Sequence, residues 1–348
     1  LAPVWDFYLT GGGKACGYAW KFDGTSLAGW NNRCPAQEKN EVMYSYGESQ
    51  LYDVDGNGAL EIVLSSHKTL PPEKEGDFKI PNGSNVFVIQ RDGTPLAGWP
   101  VIIGEKGHVI SPPAVGDLDA DGMPEIVVVD AMVDGWNMIS TEILIYDARG
   151  NFVKRFKSDT LFTFRDNPLL IDIDGDGKKD IGFSGVSTSG YEMVFYTSDG
   201  VAIPGWPARI MQDHGGTYLS AVDFSGAGDI TIFTPSNRYM DGDNKINALD
   251  KNGVSRQGWP QSTIGLPLWS HVTSGDVSGD GSSDVTVTTD AGLIYAWDAK
   301  GALVPGFPIE IGAPSSSGVS LADLDGEDGE LDIVASDYYG TVYVWQMK

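Results

Sequence analysis

The apolar residues of this 348-residue chain fall into short runs that turn-forming residues separate. The segments 113–116 and 126–129 are apolar on both faces, as strands are when a sheet is covered on both sides, and the run at 86–89 is rich in β-forming residues. No stretch shows the 3.6-residue apolar period of an amphipathic helix. The 45 glycines and 19 prolines supply turns between the runs. The pattern therefore predicts an all-β protein.

An acidic turn with one nine-residue frame recurs between these runs. It places oxygen-bearing side chains at positions 1, 3, 5 and 9 and a glycine at position 6. The four regular copies are Asp53, Asp55, Asn57 and Glu61; Asp117, Asp119, Asp121 and Glu125; Asp172, Asp174, Asp176 and Asp180; and Asp276, Ser278, Asp280 and Asp284. A copy at 223–229 is two residues short, and a copy with Asp323, Asp325 and Asp332 is one residue longer.

Oxygen ligands at alternating positions around a sharp glycine turn match a calcium site, which takes six to eight oxygens. Magnesium demands a stricter octahedron, and zinc prefers histidine or cysteine, which these loops lack. Surface turns are also rich in aspartate and glycine, but recurrence in one frame favours calcium. We expect calcium in the four regular loops. For the 223–229 loop an empty turn is at least as well supported, and the 323–332 loop falls between.

The first aspartates of the six loops stand 47 to 64 residues apart, a period typical of propellers and solenoids. A second repeat, a turn followed by Gly-Trp or by Gly-aromatic-Pro, ends at residues 30, 100, 207, 260 and 308. One unit is then a strand, the acidic loop, a second strand and a hairpin of two further strands. Such antiparallel units are the blades of a β-propeller. We expect the recurring tryptophan to pack between adjacent blades rather than to stack on sugars.

The chain ends decide the predicted number of blades. The last unit stops after its third strand, and residues 1–45 contain another hairpin without an acidic loop. We predict one domain, a seven-bladed propeller of four-stranded antiparallel blades closed by the two chain ends. The approximate blades are 1–45, 46–108, 109–163, 164–214, 215–267, 268–314 and 315–348. Six blades, with residues 1–30 completing the last, is the alternative.

The acidic loops followed by Ile-Val, and the hairpins that end in Gly-Trp-Pro, resemble the VCBS/FG-GAP repeats of bacterial secreted proteins. Those repeats are similar to the calcium-binding blades of integrin alpha subunits. The resemblance extends over nearly the whole chain from about residue 45. It implies a calcium-binding propeller, but the family includes adhesion modules, lectins and propeller domains of polysaccharide lyases, so it leaves the function open.

Charge and cysteines bear on the partner and the compartment. A net charge of -25 argues against nucleic acid or an anionic membrane as partner. The only two cysteines, Cys16 and Cys34, flank a predicted hairpin, so we predict a disulfide, with free thiols as the alternative. A disulfide together with calcium favours a secreted or cell-surface protein. The sequence contains no signal peptide and no run apolar enough to span a bilayer, so we expect a mature or excised segment, which a larger multidomain protein could contain.

The segments that lead into each first strand are expected on the face opposite the calcium loops, around the mouth of the channel. Aligned on the first aspartates, they superpose His108 with His214, Arg165 with Trp269, and Tyr218 with His271. Tryptophan suits the apolar face of a sugar, and the polar side chains suit its hydroxyls. We predict that a carbohydrate or a protein binds to His108, Arg165, Asp166, His214, Tyr218, Trp269 and His271. Polar residues that only satisfy exposed backbone are the alternative.

An enzymatic role has less support. A uronate lyase needs a base and a cation, and His108 or His214, Tyr218 and Arg165 have suitable side chains. The chain contains no nucleophile-elbow, zinc-protease, Walker or dinucleotide-binding motif. We therefore expect a lectin-like or adhesion-like binding module. A polysaccharide lyase and a structural spacer of a larger surface protein are the alternatives.

Overall fold

The computed structural model describes residues 3–5, 17–19, 42–44, 49–69, 81–134, 137–162, 167–187, 190–209, 218–236, 244–267, 270–315, 318–324, 326 and 329–347. Within these residues every regular element is a strand. The prediction of an all-β protein is therefore confirmed for the described part of the chain. Over the same residues no helix has the length and apolar character that a membrane crossing requires.

In the described part of the chain, the strands form seven sheets in chain order. The first sheet has two strands, β1 (Pro3–Trp5) and β2 (Gly17–Ala19). The next three contain β3 (Val42–Tyr44), β4 (Gln50–Tyr52), β5 (Glu61–Thr69), β6 (Pro81–Ile89) and β7 (Val101–Lys106); β8 (His108–Ile110), β9 (Ala114–Gly116), β10 (Glu125–Asp134), β11 (Asn137–Tyr146) and β12 (Phe152–Ser158); and β13 (Leu161–Phe162), β14 (Leu169–Ile171), β15 (Asp180–Ser187), β16 (Gly190–Tyr196) and β17 (Ala208–Arg209).

The last three sheets have four, four and three strands. They contain β18 (Ser220–Asp223), β19 (Ile230–Ser236), β20 (Lys245–Asp250) and β21 (Gln261–Ser262); β22 (Thr273–Gly275), β23 (Asp284–Thr288), β24 (Leu293–Trp297) and β25 (Ile309–Glu310); and β26 (Ser320–Ala322), β27 (Asp332–Ser336) and β28 (Val342–Trp345). The central strand pairs β5–β6, β10–β11, β19–β20, β23–β24 and β27–β28 are all antiparallel. Sequential strands are neighbours in these pairs, as the four-stranded unit predicts.

The first strand of the unit is interrupted in the sheets that contain β5, β10 and β15. Two short segments pair with the same long strand, as β8 and β9 both pair with β10. Prolines 112 and 113 occupy the gap between β8 and β9, and proline has no N–H to donate to a sheet. The buried Ser111 fills the gap, because its Oγ accepts a hydrogen bond from Val129 N at 3.0 Å. Ser270 Oγ accepts from Thr288 N at 3.2 Å in the same way.

The described residues divide into two compact units. The first consists of 1–170, 177–181 and 198–200, and the second of 171–176, 182–197 and 201–348. The core of the first unit packs the facing side chains of the β5–β6 and β10–β11 sheets, including Val63, Val86, Ile126 and Val128. The second unit has two such clusters, one around Phe233 and Val285 and one around Ile294 and Ile333. The single-domain organisation and the seven blades stay predictions.

Each Gly-Trp-Pro hairpin is fastened to the turn of the following hairpin. The indole Nε1 of Trp99 donates to Ala148 O at 3.1 Å, Trp206 to Lys251 O at 3.1 Å, and Trp259 to Ala299 O at 3.3 Å. Trp259 also packs edge-on against Phe233 of its own sheet and Trp297 of the next. The prediction that these tryptophans pack between adjacent repeats of the four-stranded unit is therefore confirmed.

The glycine before the aromatic residue is required by this close approach. Gly205 has φ +93°, and a Cβ there would lie 2.6 Å from Asn252 O. A Cβ on Gly258 would overlap Lys300 O in the same way. Gly306 has the same positive φ of 93°, but a Cβ added there would meet no atom within 4 Å. The three glycines thus share a backbone conformation and differ in whether another hairpin lies against them.

We expect Gly258→Ala to lower the melting temperature much more than Gly306→Ala. Both substitutions force alanine into the left-handed region, at about 1–2 kcal/mol, but only at Gly258 would the methyl group also displace the Lys300 carbonyl. Thermal unfolding monitored by circular dichroism measures the difference. Equal losses in the two variants would show that the hairpins are not held against each other.

Candidate metal centres

Three acidic loops bring their carboxylates together. The side chains at positions 1, 3 and 9 place one oxygen each within 4.8 Å of one another in the groups Asp53, Asp55 and Glu61; Asp117, Asp119 and Glu125; and Asp172, Asp174 and Asp180. Two oxygens bound to one calcium ion at 2.3–2.6 Å lie at most about 5 Å apart. The spacing of these carboxylates therefore fits a shared calcium ion.

The position-1 aspartate shapes the loop around this point. Asp53 Oδ1 accepts from Asn57 N at 3.0 Å and Oδ2 from Gly58 N at 2.8 Å. Asp117 makes the equivalent bonds with the amides of Asp121 and Gly122. One carboxylate thus holds the backbone of positions 5 and 6, which bends the loop back over its first residue.

The position-5 side chains take part in the turn itself. Asn57 Oδ1 accepts from Ala59 N at 2.7 Å, Asp121 Oδ1 from Met123 N at 2.7 Å, and Asp280 Oδ1 from Ser282 N at 2.8 Å. One oxygen of each side chain is therefore engaged by the backbone two residues on. In the loops at 117–125 and 172–180, the group of converging carboxylates consists of positions 1, 3 and 9 and does not include the position-5 aspartate.

The position-9 carboxylate is buried and joins the two ends of the loop. Glu61 is the first residue of β5, and its Oε2 accepts from Val54 N at 2.9 Å. Glu125, the first residue of β10, accepts from Leu118 N at 2.8 Å. Burial raises the pKa of Glu61 and of Glu125 above their usual values, and the neighbouring loop aspartates raise both further. An ion of opposite charge at this point would offset both effects.

The loops at 276–284 and 323–332 have an equivalent carboxylate at the start of their second strand. Asp284 Oδ2 accepts from Val277 N at 3.1 Å and Ser278 N at 2.9 Å, and burial raises its pKa. Asp332 Oδ2 accepts from Leu324 N at 3.0 Å, and Asp323 Oδ1 from Gly326 N at 2.6 Å. The predicted ligand Asp325 lies outside the described residues. Asp284 and Asp332 are both buried and thus have, in their own loops, the role that Glu61 has in the first loop.

A second set of aspartates holds the hairpin turns and was not singled out from the sequence. Asp147 Oδ1 accepts from Arg149 N and Asn151 N, and Asp250, Asp298 and Asp337 each accept from the residues two and four positions on. The spacing Asp-x-x-Gly-x is the signal that identifies them. These carboxylates organise turns, so part of the chain's acidity belongs to neither metal nor ligand.

Among the predicted ligand-binding residues, His108 has a defined partner. Its Nδ1 lies 2.7 Å from Oδ2 of the buried Asp130, and its side chain stays partly exposed. Burial raises the pKa of Asp130, and the hydrogen bond with His108 acts in the opposite direction. The carboxylate orients the imidazole through Nδ1. Asp130, which the sequence reasoning missed, is 22 residues from His108 and has no motif around it.

The structure also brings Tyr218 and His271 together. Their ring centroids are 4.1 Å apart, and Tyr218 is buried. Each of these two residues stands two positions before the first strand of its sheet, β18 or β22, and their role in binding a ligand stays a prediction. The other predicted ligand residues, Arg165, Asp166, His214 and Trp269, lie outside the described residues, as do Cys16 and Cys34.

Comparison with known proteins identifies the repeat. The family model of the FG-GAP-like repeat matches residues 53–128, which span the first two acidic loops. The resemblance to FG-GAP repeats is thereby confirmed for residues 53–128. No curated protein matches the chain.

Two solved structures support a propeller fold. The Dos1 propeller is 10% identical with a TM-score of 0.52, and the match covers 95% of this chain and 81% of that one. BBS1N, in a crystal structure of its complex with ARL6DN, is 12% identical with a TM-score of 0.51, and the match covers 87% and 92%. The chain is thus an all-β protein similar to β-propellers, with antiparallel sheets and FG-GAP-like repeat sequence in residues 53–128.

We expect Glu125→Gln to change stability with opposite sign in chelator and in calcium. Without metal at neutral pH the variant should melt higher, because glutamine removes a buried negative charge and can still accept from Leu118 N. The pKa of Glu125 is raised in the fold, so the native protein gains stability relative to the variant as the pH falls from that raised pKa towards 4.5. In saturating calcium the variant should melt lower, since it has lost a charged ligand.

Melting temperatures of both proteins between pH 7 and pH 4.5, in chelator and in calcium, provide the measurement. Asp147→Asn is the control, because that carboxylate belongs to a hairpin turn and its effect should not depend on calcium. If the difference in melting temperature between Glu125→Gln and the native protein changed with neither pH nor calcium, the result would contradict the proposed metal site.

Proposed function

We propose that this chain is a calcium-stabilised, seven-bladed propeller of a secreted or cell-surface protein and that it acts as a binding module for a protein or a carbohydrate. The observation that carries the proposal is the convergence of positions 1, 3 and 9 within 4.8 Å in three separate loops. The match of the FG-GAP-like repeat to residues 53–128 supports it, because two of those loops fall inside the match.

Calcium in these loops would be structural. Each site is built from one short loop on a turn, and the position-9 carboxylate ties that loop to the start of the second strand. Sites with dissociation constants of about 0.1–1 mM would each add about 0.4–1.4 kcal/mol to stability in millimolar calcium. Because calcium reaches such concentrations outside cells, sites of this strength favour an extracellular location, as does the disulfide predicted between Cys16 and Cys34.

The binding role rests on the fold and on one oriented histidine. BBS1N, which is similar in fold, was crystallised in a complex with the protein ARL6DN, and this supports a protein partner for a chain of this fold. His108 is the first residue of β8, the first segment of the interrupted first strand, near which we predict the ligand face, and the buried Asp130 fixes its ring. Partial exposure of His108 leaves its ring accessible to a ligand.

For the calcium part of the proposal, we expect a chelator to lower the melting temperature by several degrees and calcium to restore it. Elemental analysis of the dialysed protein should find bound calcium. Asp119→Ala, which removes an exposed position-3 carboxylate, should reduce the calcium-dependent gain, whereas Asp147→Asn should not. A melting curve that a chelator leaves unchanged, in protein that retains no calcium, would refute a structural role for the metal.

For the binding part, we expect a calcium-loaded sample to bind members of a glycan array through the predicted face. His108→Ala, His214→Ala and Trp269→Ala should each weaken that binding by about tenfold or more, since each removes one side chain of a shared site. Tyr339→Ala is the control, because Tyr339 is exposed in a hairpin turn. Binding that survives all three substitutions would place the ligand elsewhere, and release of unsaturated sugars, detected by their ultraviolet absorbance, would indicate a lyase instead.

A further inference from the structure

The acidic loop of the β18–β21 sheet keeps the first half of the frame and lacks the second. Asp223 Oδ2 accepts from Gly228 N at 2.7 Å, as the position-1 aspartates of the regular loops do with their position-6 glycines. Ser225 stands at position 3, and Asp229 follows Gly228 directly, because the two residues before the usual position 9 are missing. The last carboxylate of this loop therefore starts from a different place in the backbone.

Asp229 is exposed, whereas the corresponding Glu61 and Asp284 are buried. It forms a two-pronged ion pair with Arg256. The Nη1 atom of Arg256 donates to Asp229 Oδ2 at 3.1 Å, and Nη2 donates to Oδ1 at 2.6 Å and to Ile230 O at 3.0 Å. The hydrogen bonds and the charge of Arg256 hold the pKa of Asp229 below its usual value.

Arg256 occupies a position that is apolar in the other hairpins of this type. The amide of Arg256 donates to Ala248 O, and Leu96, Ile203 and Val304 make the same bond with Val88, Phe195 and Ala296. Leu96, Ile203 and Val304 are all buried. The arginine thus replaces a buried aliphatic residue in the one described unit whose acidic loop is two residues short.

We propose that the guanidinium of Arg256 takes the place of the metal ion in this unit, binding the last carboxylate of the loop and the start of β19 in a calcium-independent way. A guanidinium is permanently charged, and its planar fork matches the two oxygens of a carboxylate. It binds Asp229 at the end of the loop and Ile230 O at the start of β19, and so ties the point where the loop enters the second strand to the hairpin that carries Arg256.

The proposal rests in part on the proposed calcium function, since calcium in the regular loops is what Arg256 replaces. The ion pair itself does not depend on that function. It follows that removal of calcium should loosen the regular loops and leave the 223–229 loop in place, and that salt should weaken the latter, because an exposed ion pair is screened.

The first test measures the ion pair in chelator. Asp229→Asn and Arg256→Leu should each lower the melting temperature by about 1–3 °C, and the double variant should lose no more than either alone. Arg256→Lys, which keeps the charge and loses the fork, should fall between native and Arg256→Leu. High salt should shrink the loss. Losses that simply add in the double variant would show that the pair is not coupled and would overturn the proposal.

The second test follows the amide resonances of two matched glycines in a calcium titration. Gly122 and Gly228 both stand at position 6 and both donate to the position-1 aspartate. Gly122 should shift with saturation, and Gly228 should not. A saturable shift of Gly228, removed by Asp223→Asn, would show calcium in the short loop and overturn the proposal. If the amide resonance of Gly122 did not shift, the proposed calcium function would be refuted. The ion pair would then be judged by the first test alone.

Discussion

The fold depends on a buried carboxylate at the start of the second strand. Glu61, Asp284 and Asp332 each begin such a strand and accept a backbone N–H from the residue after the first loop aspartate. This bond closes the acidic loop and joins two strands of one sheet. A buried carboxylate is costly unless an opposite charge or several donors face it, and the neighbouring aspartates of the loop add repulsion. A cation beside these carboxylates, such as the proposed calcium, would offset both costs.

The units are fastened at a second place by different chemistry. The hairpin of the third and fourth strands uses a tryptophan Nε1 that donates to the next turn, as Trp206 does to Lys251 O. A glycine is needed where the backbones approach, and Gly205 provides it. One fastening holds strands within a sheet and needs a charge. The indole hydrogen bond joins consecutive hairpins and involves no charged group. Removal of the proposed calcium should therefore weaken the sheets and leave the contacts between hairpins in place.

The sequence could predict the features that repeat locally, and it could not predict pairs that are distant along the chain. Strand class, the acidic loops and the tryptophan packing follow from short motifs that recur at one spacing. The pairing of His108 with Asp130, and of Asp229 with Arg256, joins residues 22 and 27 positions apart without a motif. The serine that bridges the broken first strand also escaped prediction, because Ser111 is recognisable only beside the donor of Val129.

In the β8–β12 sheet, the contact with the following hairpin is made without a Gly-Trp-Pro sequence. Its hairpin turn at 147–151 leads directly into β12 without a Gly-Trp-Pro sequence. Phe156 of β12 lies instead against Gly200 of the following turn, and Lys154 forms an ion pair with Asp199 beside it. Here the contact with the following turn is thus made from a different strand, by ring packing and an ion pair instead of an indole hydrogen bond. Arg256 is comparable in the acidic loop of its sheet, where a guanidinium binds the last carboxylate, whereas three other loops of the repeat gather carboxylates around a position suited to a metal.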